Sequence, residues 1–178
     1  MNSIAFWVSI GVLLLLMIVF CIVGYLLVQG MLTVPWVRTN RRMSRKMLEL
    51  LNFQRGDRVL DLGSGDGSIV FEAVAMGGEG IGVERLGLLV WYARVLARMK
   101  NMQRKAKFIH GNILQDPLPQ ASLVTCYLFT EVNRKLEPRL CSSLPVGTRV
   151  VSRDFTFPTL HKIHSQPFGG SILYVYEV

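Results

Sequence analysis

Arg58-Val-Leu-Asp-Leu62-Gly63-Ser-Gly65-Asp-Gly67 decides the fold of this 178-residue chain. Its first half, RVLDL, is a short apolar run of strand length, and it runs directly into a loop with glycine at 63, 65 and 67. From residue 68 to 75 the apolar side chains fall at helical spacing instead. A strand that turns through glycines into a helix opens a parallel α/β sheet, and at that turn the backbone comes close enough to a ligand that a Cβ would be in the way. The dinucleotide fingerprint would need glycine where Ser68 stands, and the phosphate-loop pattern needs a Gly-Lys-Ser/Thr that the chain lacks. Asp61 at the strand end would repel a pyrophosphate and attract a cation. Glu84, 21 positions after Gly63, closes the next strand, where a carboxylate can accept both hydroxyls of a ribose.

Outward from that unit the pattern alternates. Residues 80–84 read as a strand and 87–102 as a helix whose inward stripe is Leu88, Tyr92, Val95, Leu96 and Met99. Strands follow at 106–110 and 123–128, then a helix at 131–143 with Val132, Leu136 and Leu140 on one side, and a strand at 149–153. Two last strands, 161–165 and 171–177, flank Pro167-Phe168-Gly169-Gly170, a hairpin connection. The sequence therefore predicts a doubly wound, Rossmann-like α/β sheet of seven strands that ends in an antiparallel hairpin.

The N-terminal part is of another kind. No Asp, Glu, Lys or Arg precedes Arg38, and residues 4–28, IAFWVSIGVLLLLMIVFCIVGYLLV, are almost wholly apolar. As a helix at about 1.5 Å per residue they reach roughly 37 Å, enough for a hydrocarbon core of about 30 Å. A transmembrane helix is expected rather than a cleaved signal peptide, because no basic residue precedes the run, the run is long, and no small-x-small cleavage site follows. Arg38, Arg41, Arg42, Arg45 and Lys46 come directly after it and predict that the rest of the chain lies on the cytoplasmic side, or the matrix side of a mitochondrial membrane. Next to a membrane, this basic cluster is read as topology signal and headgroup contact; no nucleic-acid partner is expected.

Residues 41–51 form an amphipathic helix with Met43, Met47, Leu48 and Leu51 on its apolar side, expected between membrane and domain. The predicted division is an anchor at 1–30, a juxtamembrane segment at 31–52 and a catalytic domain at 53–178. Met47 onward holds 15 basic and 12 acidic residues, so most of the net charge of +8 sits at the hinge. So little charge with so much apolar surface excludes a disordered chain. Cys21, Cys126 and Cys141 are odd in number and widely spaced, which suggests neither a disulfide framework nor a zinc site, and the three histidines lack metal-ligand partners. No metal is expected.

The glycine loop with Glu84 resembles the class I S-adenosylmethionine-dependent methyltransferases. That resemblance implies S-adenosyl-L-methionine as cofactor, with Asp61, Gly63, Ser64 and Gly65 at its methionine end and Glu84 on the ribose. The family usually has an acidic residue after the third strand; here Asn112, followed by Ile113, takes that place, and its carbonyl oxygen can accept from the adenine amino group. Three further segments, Pro35-Trp-Val-Arg-Thr39, Leu89-Val-Trp-Tyr-Ala-Arg94 and Arg153-Asp-Phe-Thr-Phe-Pro158, resemble the membrane-anchored lysine methyltransferases that modify the ADP/ATP translocase and the c-ring protein of ATP synthase, with their prokaryotic relatives. In that family the segment before the first helix folds over the cofactor, which implies active-site roles for Trp36 and Thr39. Trp91 is expected within reach of the adenine. The chain departs from the family at Arg38, where a proline is common, and at Thr130-Glu131, where Pro-Glu or Pro-Gln is usual.

Methyl transfer from a sulfonium is an in-line displacement, so the protein must hold a nucleophile about 3 Å from the methyl carbon and exclude water. A lysine amine with a reference pKa near 10.4 costs about 4.6 kcal/mol to deprotonate at pH 7. Tyr127, Thr130 and Glu131 after the fourth strand and Asp154 after the fifth are the candidate acceptor-side residues; Glu131, Asp154 and Tyr127 are the expected catalytic set. The function expected is a protein-lysine N-methyltransferase acting at a membrane on a membrane-associated protein. The alternatives are a methyltransferase for a lipid or small amphiphile, or a cofactor-binding scaffold without catalysis.

Overall fold

The computed structural model of the chain describes residues 3–32 and 38–178, in two compact units. The first is a single helix, α1 (Ser3–Leu32), in which Phe6–Leu26 is long and apolar enough to cross a membrane. Pro35, Trp36 and Val37 lie outside the described residues.

The second unit contains α2 (Arg41–Leu50), β1 (Arg58–Leu62), α3 (Ser68–Ala75), β2 (Glu79–Glu84), α4 (Gly87–Met99), β3 (Ala106–His110), β4 (Leu123–Cys126), α5 (Thr130–Ser143), β5 (Arg149–Arg153), β6 (His161–Phe168) and β7 (Ser171–Glu177). The strands form one sheet in the order β3-β2-β1-β4-β5-β7-β6. The first five are parallel, and β7 runs antiparallel between β5 and β6. Strand order reverses between β1 and β4, and in open α/β sheets the ligand crevice lies at the carboxyl ends of the strands at such a point.

Alternation along the strands feeds both faces. Leu60, Leu62, Val124, Cys126 and Val150 pack with Leu136 and Leu140 of α5. On the other face Val59, Leu123, Val151 and Val175 lie with Met43, Met47 and Leu48 of α2 and with Ile69 and Ala73 of α3. Val70 of α3 joins Val90, Ala93 and Ala97 of α4 over Ala106 and Phe108 of β3.

Four sequence expectations change. The inward stripe of α4 is Val90, Ala93 and Ala97, whereas Leu88, Tyr92 and Met99 are exposed. Both faces of this helix are apolar, so periodicity marks two stripes without choosing one; small side chains win the inner position because the helix lies close over Phe108 and Val70. The same helix stops at Met99, since Asn101 adopts a positive φ of 55° and the Met102 and Asn101 amides return to Ala97 and Arg98, a Schellman end.

The fourth strand ends at Cys126, two residues early, because Tyr127 and Leu128 leave the sheet toward the crevice. The hairpin is tighter than expected: β6 runs to Phe168 and the turn is Gly169-Gly170 alone, both with positive φ, with Pro167 tolerated because β6 is an edge strand. The amphipathic helix expected between membrane and domain is α2, and its Met47 and Leu48 are fully buried in the domain. Glu72 of α3, itself buried, accepts from Arg41 Nε at 2.8 Å and from Arg45 Nε at 3.0 Å and so fastens α2 to α3.

Candidate functional site

Loops at the carboxyl ends of β1, β2 and β3 converge on Glu84. Its Oε2 accepts from the Gly65 amide at 3.0 Å, its Oε1 from the Leu86 amide at 2.8 Å, and its main-chain carbonyl from the Gly111 amide at 3.0 Å. The pair that the sequence joined across 19 positions, Gly65 and Glu84, is thus in direct contact.

The glycine loop itself is built from left-handed residues, with φ of 78°, 53° and 82° at Gly63, Gly65 and Gly67. A Cβ on Gly63 would meet Leu128 Cδ2 at 3.0 Å, which puts the loop against the segment leaving β4. Ser64, expected at the cofactor, instead turns its buried side chain down onto Gly82, where an added Cβ would lie 2.4 Å from its Oγ. That Oγ has no hydrogen-bond partner among the described residues. The Ser64 main chain shapes the turn, donating to Val83 O and accepting from Gly67 N.

Asp61 is buried at the end of β1 and accepts from the Thr125 hydroxyl at 2.7 Å. Burial, with smaller contributions from Glu84 and Asp66, raises its carboxyl to about 7 against the Thr125 bond, which pulls the other way. Asp66 Oδ1 takes the Ser68 amide and hydroxyl at the start of α3, and its Oδ2 pairs with Arg38 Nε at 2.9 Å. Through that ion pair the segment before α2 meets the glycine loop, and Thr39, next to it, is buried. Asn40 then caps α2 by accepting from the Met43 amide.

After β3, Asn112 Oδ1 accepts from the Leu114 amide at 3.0 Å, so the oxygen expected to face an adenine already closes a local turn. Ile113 is half-buried beside the core that carries Leu62 and Val83. Trp91 is not brought to the loop: it is 62% exposed on the outward side of α4.

The acceptor-side candidates gather beyond β4 and β5. Tyr127 stacks on Phe155 with ring centres 5.9 Å apart, Phe129 meets Phe155 edge-on at 5.1 Å, and the Arg153 guanidinium lies 4.4 Å over the Tyr127 ring. Asp154 has a positive φ of 61° and spends its carboxylate on the Ser171 hydroxyl and the Ile172 amide, which ties β5 to β7. Glu131 is exposed in the first turn of α5. Hydrogen bonding and charge from Arg134 hold its carboxyl below the usual range, making it a poor proton acceptor. Cys126 is buried in β4 and its thiol is pushed up to about 12 by desolvation, which leaves it inert.

Thr125, Asp66, Phe129 and Phe155 belong to this site and were not singled out from sequence. Thr125 becomes visible only once β4 pairs with β1 and sets it opposite Asp61.

The donor set suits a cationic nucleoside. Three carboxylates, Asp61, Asp66 and Glu84, surround a glycine cradle, which favours a sulfonium and an ammonium and disfavours a phosphate. When bound, S-adenosylmethionine supplies an electrophilic methyl group; Glu84 is placed to take the ribose hydroxyls and Asp61 to hold positive charge at the methionine end.

Residues 61–164 match the family model described as "ANTKMT methyltransferase domain". Among curated proteins the chain is 34% identical over 128 residues to "Protein-lysine N-methyltransferase" of Saccharolobus islandicus, covering 68% of this chain and 77% of that one. It is 31% identical over 144 residues to the Rattus norvegicus lysine N-methyltransferase of the ATP synthase c-ring protein, covering 81% of this chain and 66% of the rat protein. Among solved structures, an RNA methyltransferase from Salinibacter ruber in complex with S-adenosyl-L-homocysteine superposes with a TM-score of 0.76 at 34% identity, covering 79% of this chain and 93% of that one. The chain belongs to the ANTKMT methyltransferase domain family and is an S-adenosylmethionine-dependent methyltransferase.

Proposed function

We propose that the chain is a membrane-anchored protein-lysine N-methyltransferase whose substrate lies in or beside the membrane that α1 enters. The observation that carries the lysine assignment is the aromatic group Tyr127, Phe129 and Phe155 beside the glycine cradle, whose Tyr127 ring already holds the Arg153 cation at 4.4 Å. A surface that takes one cationic side chain on a ring face suits the ammonium and methylammonium groups of a lysine. The curated relatives support it, since the archaeal and rat proteins both carry lysine N-methyltransferase in their names. The length and composition of Phe6–Leu26 support the anchor, and the five cations of 38–46 favour a domain on the cytoplasmic or matrix side.

In this reading the residues position rather than react covalently. Asp61 and Glu84 hold the two ends of the cofactor, and Thr39 and the segment it belongs to cover it. Tyr127 and its neighbours exclude water and lower the cost of an uncharged amine by desolvation. Asp154 fixes the end of β5 against β7 so that Arg153 and Phe155 keep their places.

Incubation with methyl-labelled S-adenosylmethionine and membrane fractions tests the assignment. Label on lysine in a membrane protein is expected. Label found only in the organic extract makes the enzyme a lipid methyltransferase, and label found only in RNA aligns it with the Salinibacter ruber RNA methyltransferase; either result refutes lysine as acceptor.

A further inference from the structure

The outward face of α4 has no partner in the domain. Leu88, Trp91, Tyr92 and Met99 stand 46%, 62%, 45% and 74% exposed, with half-buried Val95 between them. Their spacing of i, i+3, i+4, i+7 and i+11 puts them on one side of the helix, directly opposite Val90, Ala93 and Ala97, which face the sheet. An outer face facing only water would be polar; a contiguous apolar stripe of this kind marks an interaction surface.

The charge around it is one-sided. Residues 85–107 hold Arg85, Arg94, Arg98, Lys100, Arg104, Lys105 and Lys107 and no acidic residue. Residues 38–46 hold five more cations and again no acid. These two stretches contain twelve of the twenty basic residues, so the rest of the chain carries eight basic against twelve acidic and is net negative.

They also share one layer. The α2 helix packs on α3, and α3 packs with α4, all on the same face of the sheet. Only eight residues, 33–40, join α1 to α2, a reach of at most about 29 Å when fully extended.

We propose that the outer face of α4 docks on the anionic surface of the lipid bilayer, with Leu88, Trp91, Tyr92, Val95 and Met99 entering the headgroup boundary and the flanking cations on the phosphates. The inference rests on α1 being a membrane span. An amphipathic helix with Trp and Leu on one side and Arg and Lys on its flanks is built to lie in that interface. Charge complementarity selects anionic lipid: the apolar stripe asks for hydrocarbon, which a nucleic acid does not offer, and the cations ask for phosphate. Since α4 starts three residues after Glu84, docking brings the cofactor crevice to the headgroups, where a lysine at the edge of a membrane protein emerges.

The test uses the full chain with Trp7→Phe and Trp36→Phe, which leaves Trp91 as sole tryptophan, reconstituted in phosphatidylcholine vesicles with or without phosphatidylglycerol. With phosphatidylglycerol present, Trp91 emission should shift to the blue and fall at least twofold with phospholipids brominated near the headgroup. Leu88→Ser/Tyr92→Ser/Met99→Ser should abolish the quenching while S-adenosylhomocysteine affinity, measured by calorimetry, changes less than twofold. Arg98→Glu/Lys105→Glu should remove the dependence on phosphatidylglycerol. Trp91 emission that is unquenched and identical in vesicles and detergent overturns the proposal. So does a triple-serine variant that keeps its quenching but loses binding to a protein substrate or to RNA. Resistance of the chain to alkaline extraction is scored separately, so that failure of α1 as a span and failure of α4 as a docking face are separate results.

Discussion

The Thr125 hydroxyl donates to Asp61 Oδ1 at 2.7 Å inside the sheet, and this is the one side-chain bond lowering a carboxyl that burial raises to about 7. A buried acid in that position is protonated in about half the molecules near neutral pH, whereas a cationic ligand needs it charged. Affinity for S-adenosylmethionine should therefore fall as pH drops below about 7, approaching tenfold per pH unit, and level off above. Binding near pH 7 should release a proton from Asp61, seen in calorimetry as a heat that depends on the buffer's ionisation enthalpy. Asp61→Asn should weaken binding and erase both effects.

The same shift makes an opposite prediction for stability. A carboxyl raised from 3.8 to about 7 binds its proton more tightly in the folded domain than in the unfolded chain. The ligand-free domain therefore loses stability as pH rises through that window, and the loss is complete above it. Asp61→Asn keeps an acceptor for Thr125 without the buried charge, so at pH 8 it should raise the melting temperature of the ligand-free protein while impairing cofactor binding. A variant that melts lower at pH 8 would show that the charge is compensated by groups other than Thr125.

Glu84 joins three loops, and its removal should be felt in binding more than in folding. Glu84→Ala should cost about 1 to 3 kcal/mol of cofactor affinity through lost charge-assisted hydrogen bonds. Calorimetry with S-adenosylhomocysteine measures it, and unchanged affinity would remove Glu84 from the ribose. Gly63→Arg, which puts a side chain at a φ of 78° against Leu128, should abolish binding; a cellular activity that survives it would favour a scaffold over an enzyme.

Glu72 is a buried carboxylate held by two arginines of α2, both more than half exposed. Glu72→Ala leaves no buried charge behind, because the arginines return to water, so it should destabilise by about 1 to 2 kcal/mol, less than breaking a fully buried pair. The loss should appear in chemical denaturation and should shrink at high salt if the pair is mainly electrostatic. Since α2 follows the Arg38-Thr39 segment, weaker cofactor binding should accompany it.

Much of the fold is legible in the residues alone. Strand β1, the glycine loop and Glu84 announce themselves because local rules govern each: apolar length, glycine at left-handed turns, and an acid at a strand end. The inner face of α4 is not legible, because Leu88/Tyr92/Met99 and Val90/Ala93/Ala97 are both apolar stripes and only the closeness of Phe108 decides between them. Thr125, Phe129 and Phe155 escape the sequence for another reason: they join Asp61 and Tyr127 only through strand pairing, which has no local signature. Glu131 and Asp154 show the limit from the other side, since a carboxylate at the right loop says nothing of whether Arg134 or Ser171 has already claimed it.

The aromatic wall yields the prediction that separates a lysine enzyme from the alternatives. Tyr127 has Arg153 over its ring and Phe155 stacked on it, so a ring face next to the cradle is specified by both neighbours. Cation–π attraction at a partly desolvated site contributes about 0.5 to 2 kcal/mol. If the wall holds the substrate lysine, Tyr127→Ala should raise KM for a lysine peptide by a factor of about 2 to 30 with S-adenosylhomocysteine affinity unchanged, and Tyr127→Phe should restore it because the ring, not the hydroxyl, faces the cation. A catalytic hydroxyl would give the reverse pattern: Tyr127→Phe would lower kcat as far as Tyr127→Ala does, and KM would stay put. Arg153→Met, which takes the resident cation off the ring but also breaks the bond to the Ser171 hydroxyl, should lower KM only if the guanidinium competes with the incoming lysine.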